Sequence, residues 1–185
     1  MFGGVGLGKF MIAAMLLLFH LGCSSDGGLL GEEESKVDCS KPHVESPQVT
    51  PAKVTSRSWG VAQSFKVTEK ITLKSVELKL SANRGGNTLT VNIKSGDTAP
   101  GVNLVATTTG LVGNLSPWRT FAFTDAVTLE SGGQYWIDLV YDGILGWQEN
   151  RNNPIADGAS WYEANANNDW QEWINSDYVF RVNCS

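Results

Sequence analysis

Short stretches in which apolar and polar residues alternate recur along the chain after residue 60. They are residues 75–80, 88–94, 119–124, 135–141 and 178–184. A period of two predicts β-strands that bury one face and expose the other to solvent. After the first 22 residues no stretch keeps the 3.6-residue period of a helix. The pattern therefore predicts an all-β protein.

Turn residues separate these predicted strands at intervals of about ten residues, which is typical of sandwiches and barrels. Arg84-Gly85-Gly86-Asn87 carries a hairpin-type Gly-Gly sequence between the first two predicted strands, and Ser131-Gly132-Gly133 precedes the strand 135–141. We predict an antiparallel two-sheet β-sandwich of the jelly-roll type. The predicted domain spans residues 39–185.

The first 22 residues have a different pattern. Lys9 precedes an unbroken apolar run of ten residues, 10–19. A run of this length is too short to cross a bilayer core, which needs about 20 residues. It matches the apolar region of a signal peptide, so we predict that residues 1–22 are cleaved on export.

The next residues, His20-Leu21-Gly22-Cys23, resemble the bacterial lipobox, in which a small residue precedes a lipidated Cys. Gly22-Cys23 fits that motif, whereas His20 stands where the motif prefers Leu. The resemblance implies a lipid on Cys23 and a membrane attachment in the cell envelope, at the outer membrane or the cell surface. Residues 23–38 would form a flexible tether. The alternative is an ordinary signal peptide followed by an incidental Cys.

The cysteine count agrees with export. The chain has three Cys, and two remain if Cys23 carries a lipid. Cys39 and Cys184 bracket the predicted domain, and an exported location permits a disulfide. We predict a Cys39–Cys184 bridge. Two free thiols are the alternative, which is uncommon in an oxidising compartment.

Charge narrows the possible partners. The formal net charge is -5, and it becomes about -6 once the leader with Lys9 is removed. An acidic chain without a basic run is a poor partner for nucleic acid, so we expect none.

Catalytic chemistry has few candidates. The two His residues are His20, in the leader, and His43, beside a proline. No nucleophile-elbow, zinc-protease or Cys-x-x-Cys motif is present. Glu77 and Asp138 fall on predicted outward strand faces, where charges keep a strand solvated. We therefore predict neither an enzyme nor a cofactor.

Metal binding has only weak candidates. Asp142-Gly143, Asp157-Gly158 and Asn167-Asn168-Asp169 are oxygen-rich, as calcium sites are, but they match no ligand spacing. Asx-Gly pairs are also ordinary turn residues, so we predict no metal site.

Tryptophan is concentrated near the end of the chain. Trp147, Trp161, Trp170 and Trp173 fall within 27 residues, among many Asn, Gln and acidic side chains. Indole faces pack on the C–H face of a sugar ring, and amides bond its hydroxyls. The alternative is that these rings are core residues, since Trp is highly buried on average.

We predict exposed rings for at least two of Trp147, Trp161 and Trp173. The predicted ligand-binding residues are these three together with Asn150 and Asn168. Trp170 is assigned to the structure of the domain instead.

Several further motifs are similar to those of one family. They include residues 62–65, 89–93, 99–101, 104–106, 118–121, 127–129, 133–137 and 178–182, together with Trp170. The arrangement resembles the choice-of-anchor jelly-roll domains of bacterial surface and secreted proteins and covers about residues 60–183. The resemblance implies the fold and a cell-attached protein. It transfers no functional residue.

These observations favour a surface-exposed lipoprotein that binds or adheres without catalysis. The first hypothesis for its partner is a polysaccharide or glycan. The second is a surface protein, in which case the chain is a structural or protein-interaction subunit of a cell-surface assembly. A glycosidase-like enzyme comes third, and it would require a cleft with two facing carboxylates.

Overall fold

β-strands form the regular structure of the computed structural model, which describes residues 37–47, 60–82, 87–112, 118–141, 145–152, 154–165 and 167–185. The predicted signal peptide, Cys23 and most of the predicted tether lie outside these residues. The described residues all belong to one compact unit, Lys36–Ser185.

The strands are β1 (Val44–Glu45), β2 (Val61–Lys66), β3 (Ile71–Leu78), β4 (Leu80–Ala82), β5 (Asn87–Ser95), β6 (Asn103–Val112), β7 (Arg119–Leu129), β8 (Gln134–Tyr141), β9 (Leu145–Trp147), β10 (Glu149–Asn150), β11 (Ser160–Glu163), β12 (Trp170–Trp173), β13 (Asp177–Tyr178) and β14 (Phe180–Cys184). Within the described part of the chain no helix is long and apolar enough to span a bilayer.

Most of the strands belong to two antiparallel sheets. The four-stranded sheet has the order β1-β14-β3-β7, and the six-stranded sheet has the order β12-β11-β2-β8-β5-β6. Two short pairs, β4 with β9 and β10 with β13, complete the pairing. The prediction of an all-β, antiparallel protein is confirmed.

The two sheets share one hydrophobic core. Leu73, Val76 and Phe180 come from the four-stranded sheet, and Phe65 and Ile137 come from the six-stranded sheet. All five are buried, and Val76, Ile137 and Phe180 are inward positions of the alternating stretches in the sequence. This arrangement is that of a sandwich. Jelly-roll connectivity stays a prediction.

The hairpin predicted around residues 84–87 does not form between its two flanking strands. β3 pairs with β14 and β7, whereas β5 pairs with β6 and β8. Between them the chain forms β4, which pairs with β9, and then continues into the other sheet. Residues 83–86 lie outside the described residues. The prediction was wrong because a Gly-Gly turn does not determine which strands pair across a sandwich.

The predicted disulfide is present. Cys39 and Cys184 are bonded, with 5.2 Å between their Cα atoms and a sequence separation of 145 residues. Cys184 belongs to the buried side of β14, in phase with Phe180 and Val182. The bridge therefore joins the first described segment to the last strand of the four-stranded sheet.

Candidate functional site

The six-stranded sheet has an outer face, which is turned away from the hydrophobic core. Two of the predicted tryptophans, Trp161 and Trp173, lie on opposite faces of this sheet. Trp161 pairs with Ala62 and contacts the outward-facing Trp136, with 6.2 Å between ring centroids. Trp173 lies on the opposite side of the sheet, where it contacts Tyr162 at 5.4 Å, and Tyr162 packs against the core. The predicted rings therefore do not form one platform.

Trp147 and Asn150 are interior residues, contrary to the prediction. Trp147 is fully buried, stacks on Tyr178 with 4.4 Å between ring centroids, and donates from Nε1 to the Val179 carbonyl at 2.9 Å. Asn150 is also fully buried, and its Nδ2 donates to the carbonyl of Pro47 at 2.6 Å. Both lie in short strands that pair in the interior rather than in solvated loops.

Only Trp173 of the three predicted rings is exposed, at 38%. Trp161 is half-buried, so the expectation of two exposed rings was wrong. Asn168 is exposed, and its backbone N–H donates to Oε1 of Glu163 at 2.8 Å. Asn168 is therefore at the surface as predicted, but beside Trp170 rather than Trp173.

A groove of about 510 Å³ lies on the outer face of the six-stranded sheet. Its volume falls in the usual range of ligand sites, about 300–1,000 Å³. The lining residues are Gly60, Lys94, Ala99, Pro100, Gly101, Asp138, Leu139, Val140, Tyr141, Glu163, Asn168 and Trp170. We call it the outer groove.

An ion pair lies in the outer groove. Nζ of Lys94 is 2.8 Å from Oδ2 of Asp138, whose side chain is 5% exposed. Nδ2 of Asn92 donates to the same carboxylate oxygen at 3.4 Å, and Oδ1 of Asn92 accepts from Thr107 at 2.8 Å. A buried carboxylate needs such partners. Asp138 is thus a paired and buried charge, not the solvated strand charge that its alternation predicted.

One wall of the groove is the loop 96–101, which packs on Trp136. Nε1 of Trp136 donates to the Gly96 carbonyl at 2.7 Å. Gly101 has a φ of 81°, and a Cβ atom there would lie 2.7 Å from Cδ1 of Trp136. Only glycine accepts both the positive φ and this close approach, so Gly101 lets the loop lie against the sheet.

The opposite wall is formed by Trp170 and Glu163. A Cβ atom on Gly60 would be 2.8 Å from Cη2 of Trp170, so the missing side chain makes room for the indole. Oε2 of Glu163 accepts from the Gly60 N–H at 3.2 Å, and Oε1 accepts from Asn168. Backbone groups therefore hold Glu163 beside the half-buried ring of Trp170.

The two carboxylates considered in the sequence, Glu77 and Asp138, lie on different sheets. Glu77 belongs to the four-stranded sheet, where Nη1 of Arg181 lies 3.4 Å from its Oε2, so it is remote from Asp138 in the topology. Within the outer groove, Asp138 is paired with Lys94, and both oxygens of Glu163 accept backbone N–H groups. His43 does not line the groove and pairs through its backbone with Val182.

A second polar cluster lies inside the sandwich. Asp177 is fully buried, and its oxygens accept from Nε2 of Gln63 at 2.7 Å and from the N–H of Ile155 at 3.0 Å. Burial raises the pKa of Asp177, and the two hydrogen bonds oppose that rise only in part. The cluster positions the chain around residue 155.

The part of the chain that the structure describes contains no cluster of side chains suited to binding a metal ion. No three His, Cys, Asp or Glu side chains there are close enough to hold an ion. The turns at Asp157 and at residues 167–169 bring no such set together, and Asp142 lies outside the described residues.

No family model matches the chain, and no curated protein is significantly similar to it. The resemblance to choice-of-anchor domains therefore stays a prediction.

Proposed function

We propose that this protein is an exported lipoprotein whose β-sandwich binds carbohydrate without catalysis and holds a sugar in the outer groove. The observation that carries the proposal is the combination of an aromatic ring and polar groups in the outer groove. An indole, Trp170, lies beside polar groups from Glu163, Asn168 and the Lys94–Asp138 pair.

This combination fits the two kinds of surface on a sugar. The C–H face of a pyranose packs on an aromatic ring, and its hydroxyls bond to charged and amide groups. Charge-assisted hydrogen bonds are about twice as strong as neutral ones, so a Lys and two carboxylates make effective partners for hydroxyls. The groove supplies both surfaces within one site of ligand size.

The proposed location rests on the sequence. A signal peptide over residues 1–22 and a lipid on Cys23 would place the domain outside the cytoplasm. The Cys39–Cys184 disulfide is compatible with that compartment. The polysaccharide would then be one that meets the cell from outside or belongs to its envelope.

Paired tryptophan variants test the groove. Retention of the domain from Lys36 onward would be measured on cellulose, xylan, mannan and chitin, together with its melting temperature. Trp170→Ala should abolish retention, because one aromatic anchor carries much of the interface energy. Trp173→Ala is the matched control, since this ring faces the other side of the sheet and should leave retention intact.

Two results would reject the proposal. One is that the wild-type domain is retained neither by these neutral polysaccharides nor by polygalacturonate or alginate. The other is retention that survives in Trp170→Ala while the variant is folded.

Strand β6 favours the second candidate, a protein-interaction subunit. It stands at an edge of the six-stranded sheet, and its sequence Asn103–Val112 contains neither a charge nor a proline. Leu104 and Leu111 are 60% and 69% exposed. An edge strand of this composition invites pairing with another strand. If Leu111→Lys dissociates a complex seen by sedimentation of the wild type, this candidate gains support.

A further inference from the structure

The outer groove continues into a row of residues that crosses the whole six-stranded sheet. Trp170 pairs with Glu163, and the Glu163 N–H donates to the Gly60 carbonyl at 2.9 Å. Gly60 precedes Val61, the partner of Leu139, so it lies opposite Val140. The row then continues through the pairs Val140–Thr90 and Thr90–Thr109. We call these six residues the cross-strand row.

The sheet beneath this row is regular. The β2–β8 and β5–β8 pairs keep one register throughout, and the β5–β6 pair shifts only between Ile93 and Lys94, away from the row. Six strands are separated by five spacings, each about 4.7–4.9 Å, so the row is about 24 Å long. That span exceeds a single sugar ring and would take several linked units.

The part of the row from Val140 to Thr109 is uncharged and both apolar and hydroxylated. Val140 is 55% exposed, Thr109 is exposed, and the Thr90 and Thr109 hydroxyls lie 3.2 Å apart. The neighbouring row of the same face adds Asn92 and Thr107. This surface offers apolar contact and neutral hydrogen bonds in alternation, which is what the faces of a neutral sugar chain require.

The charges in the groove disfavour an acidic chain. Among the residues that the structure describes, Lys94 is the cation that lines the groove, and Asp138 neutralises it, whereas none of their cations pairs with the carboxylate of Glu163. The formal net charge of the whole chain is also negative, -5. An anionic polymer would approach uncompensated negative charge.

We propose that the cross-strand row binds a linear, uncharged polysaccharide that lies across the strands, with one unit on Trp170 and further units on Val140, Thr90 and Thr109. This inference deepens the proposed function and rests on it. It adds the orientation of the ligand, its minimum extent and its lack of charge.

Titration calorimetry with an oligosaccharide ladder tests the inference. The ladder runs from disaccharide to hexasaccharide and is made from whichever neutral polysaccharide retains the wild type. Affinity should increase with length. Thr109→Glu, at the far end of the row, should weaken hexasaccharide binding about tenfold and leave disaccharide binding unchanged.

Thr128→Glu is the matched control, because Thr128 is an exposed strand threonine on the four-stranded sheet. It should leave both affinities unchanged. Thr109→Ala should keep the fold, because Thr109 is exposed, and should give a smaller loss in the same direction. The test therefore does not depend on how well the charged variant folds.

The possible failures are distinguishable. Affinity that does not increase with length, or a hexasaccharide affinity untouched by both Thr109 variants, would overturn the inference and leave the groove as a site for a short sugar. Retention by polygalacturonate or alginate alone would overturn the inference that the bound polysaccharide is uncharged. If no polysaccharide binds, the proposed function fails as well.

Discussion

Trp147 is the most buried and Trp173 the most exposed of the indoles that the structure describes. Trp147 is fully buried against Tyr178, with its N–H bonded to the Val179 carbonyl. Trp173 is 38% exposed, beside Tyr162 at the edge strand β12. The same side chain is thus a core residue in one case and a surface residue in the other, and its immediate partners determine which.

Removing the buried ring should be costly. Trp147→Ala should lower the free energy of unfolding by about 3–5 kcal/mol, because it leaves a large cavity and removes a hydrogen-bonded donor. Trp173→Ala should lower it much less. Urea unfolding of both variants beside the wild type measures the difference. Equal losses at the two positions would contradict this account.

Asp177 is a buried carboxyl group without a cation in its hydrogen bonds, and its stability contribution depends on pH. Its pKa is raised above the usual value of 3.8, chiefly because burial penalises the charged form. The folded state therefore holds the proton more tightly than the unfolded state does. By linkage, the contribution of Asp177 to the free energy of unfolding decreases as pH rises from 3.8 through the pKa of the folded state.

Asp177→Asn removes that titration. The free energy of unfolding of the wild type minus that of the variant should decrease as pH rises above the usual value for Asp. Urea unfolding at closely spaced pH values measures this difference, in which the titrations shared by both proteins cancel. A difference independent of pH would show that Asp177 does not titrate differently in the folded state.

At the scale of elements, the two-residue strand β1 depends on cross-strand contacts. Arg181 on β14 bonds to Glu45 on β1 at 2.8 Å, and its other side reaches Glu77 on β3. Its guanidinium also lies 4.1 Å from the ring centroid of Trp118. One side chain thus links three strands, and the nearby disulfide adds a covalent link.

Breaking the disulfide should destabilise the domain. A closed loop with a separation of 145 residues is worth at most about 5 kcal/mol in the chain-entropy model. The double variant Cys39→Ser/Cys184→Ser should therefore unfold at a lower denaturant concentration than the oxidised wild type. Reducing agent should lower the wild-type midpoint and leave the variant unchanged. A wild-type midpoint that does not respond to reduction would contradict this expectation.

The strands themselves could be predicted from alternation, but their partners could not. The stretches predicted at 88–94, 119–124 and 135–141 lie within β5, β7 and β8. Alternation records only that one face of each strand is buried. It carries no information on which strand lies next to it, so the hairpin expected at 84–87 was wrong and the pairing of β3 with β14 was not foreseen.

At the scale of the whole molecule, the candidate site could not be predicted from the sequence either. Its residues come from positions as distant as Gly60 and Trp170, which meet only through the pairing of β2, β11 and β12. Trp170 was assigned to structure, and Lys94 and Glu163 gave no local signal. Concentration of tryptophan indicated the right region of the chain, but the strand register decides which rings share a face.

The attachment of the whole protein to a membrane is the remaining prediction. Cys23→Ala should move the protein from the detergent phase to the aqueous phase, because the proposed acyl chains would be lost, at about 0.8 kcal/mol of membrane binding for each buried CH₂. Cys39→Ser is the matched control, since it removes a cysteine of the folded domain and leaves the proposed lipid in place, so it should stay in the detergent phase. Phase partitioning of cell extracts measures both. Detergent-phase protein after Cys23→Ala would show that something other than this residue holds the chain at the membrane.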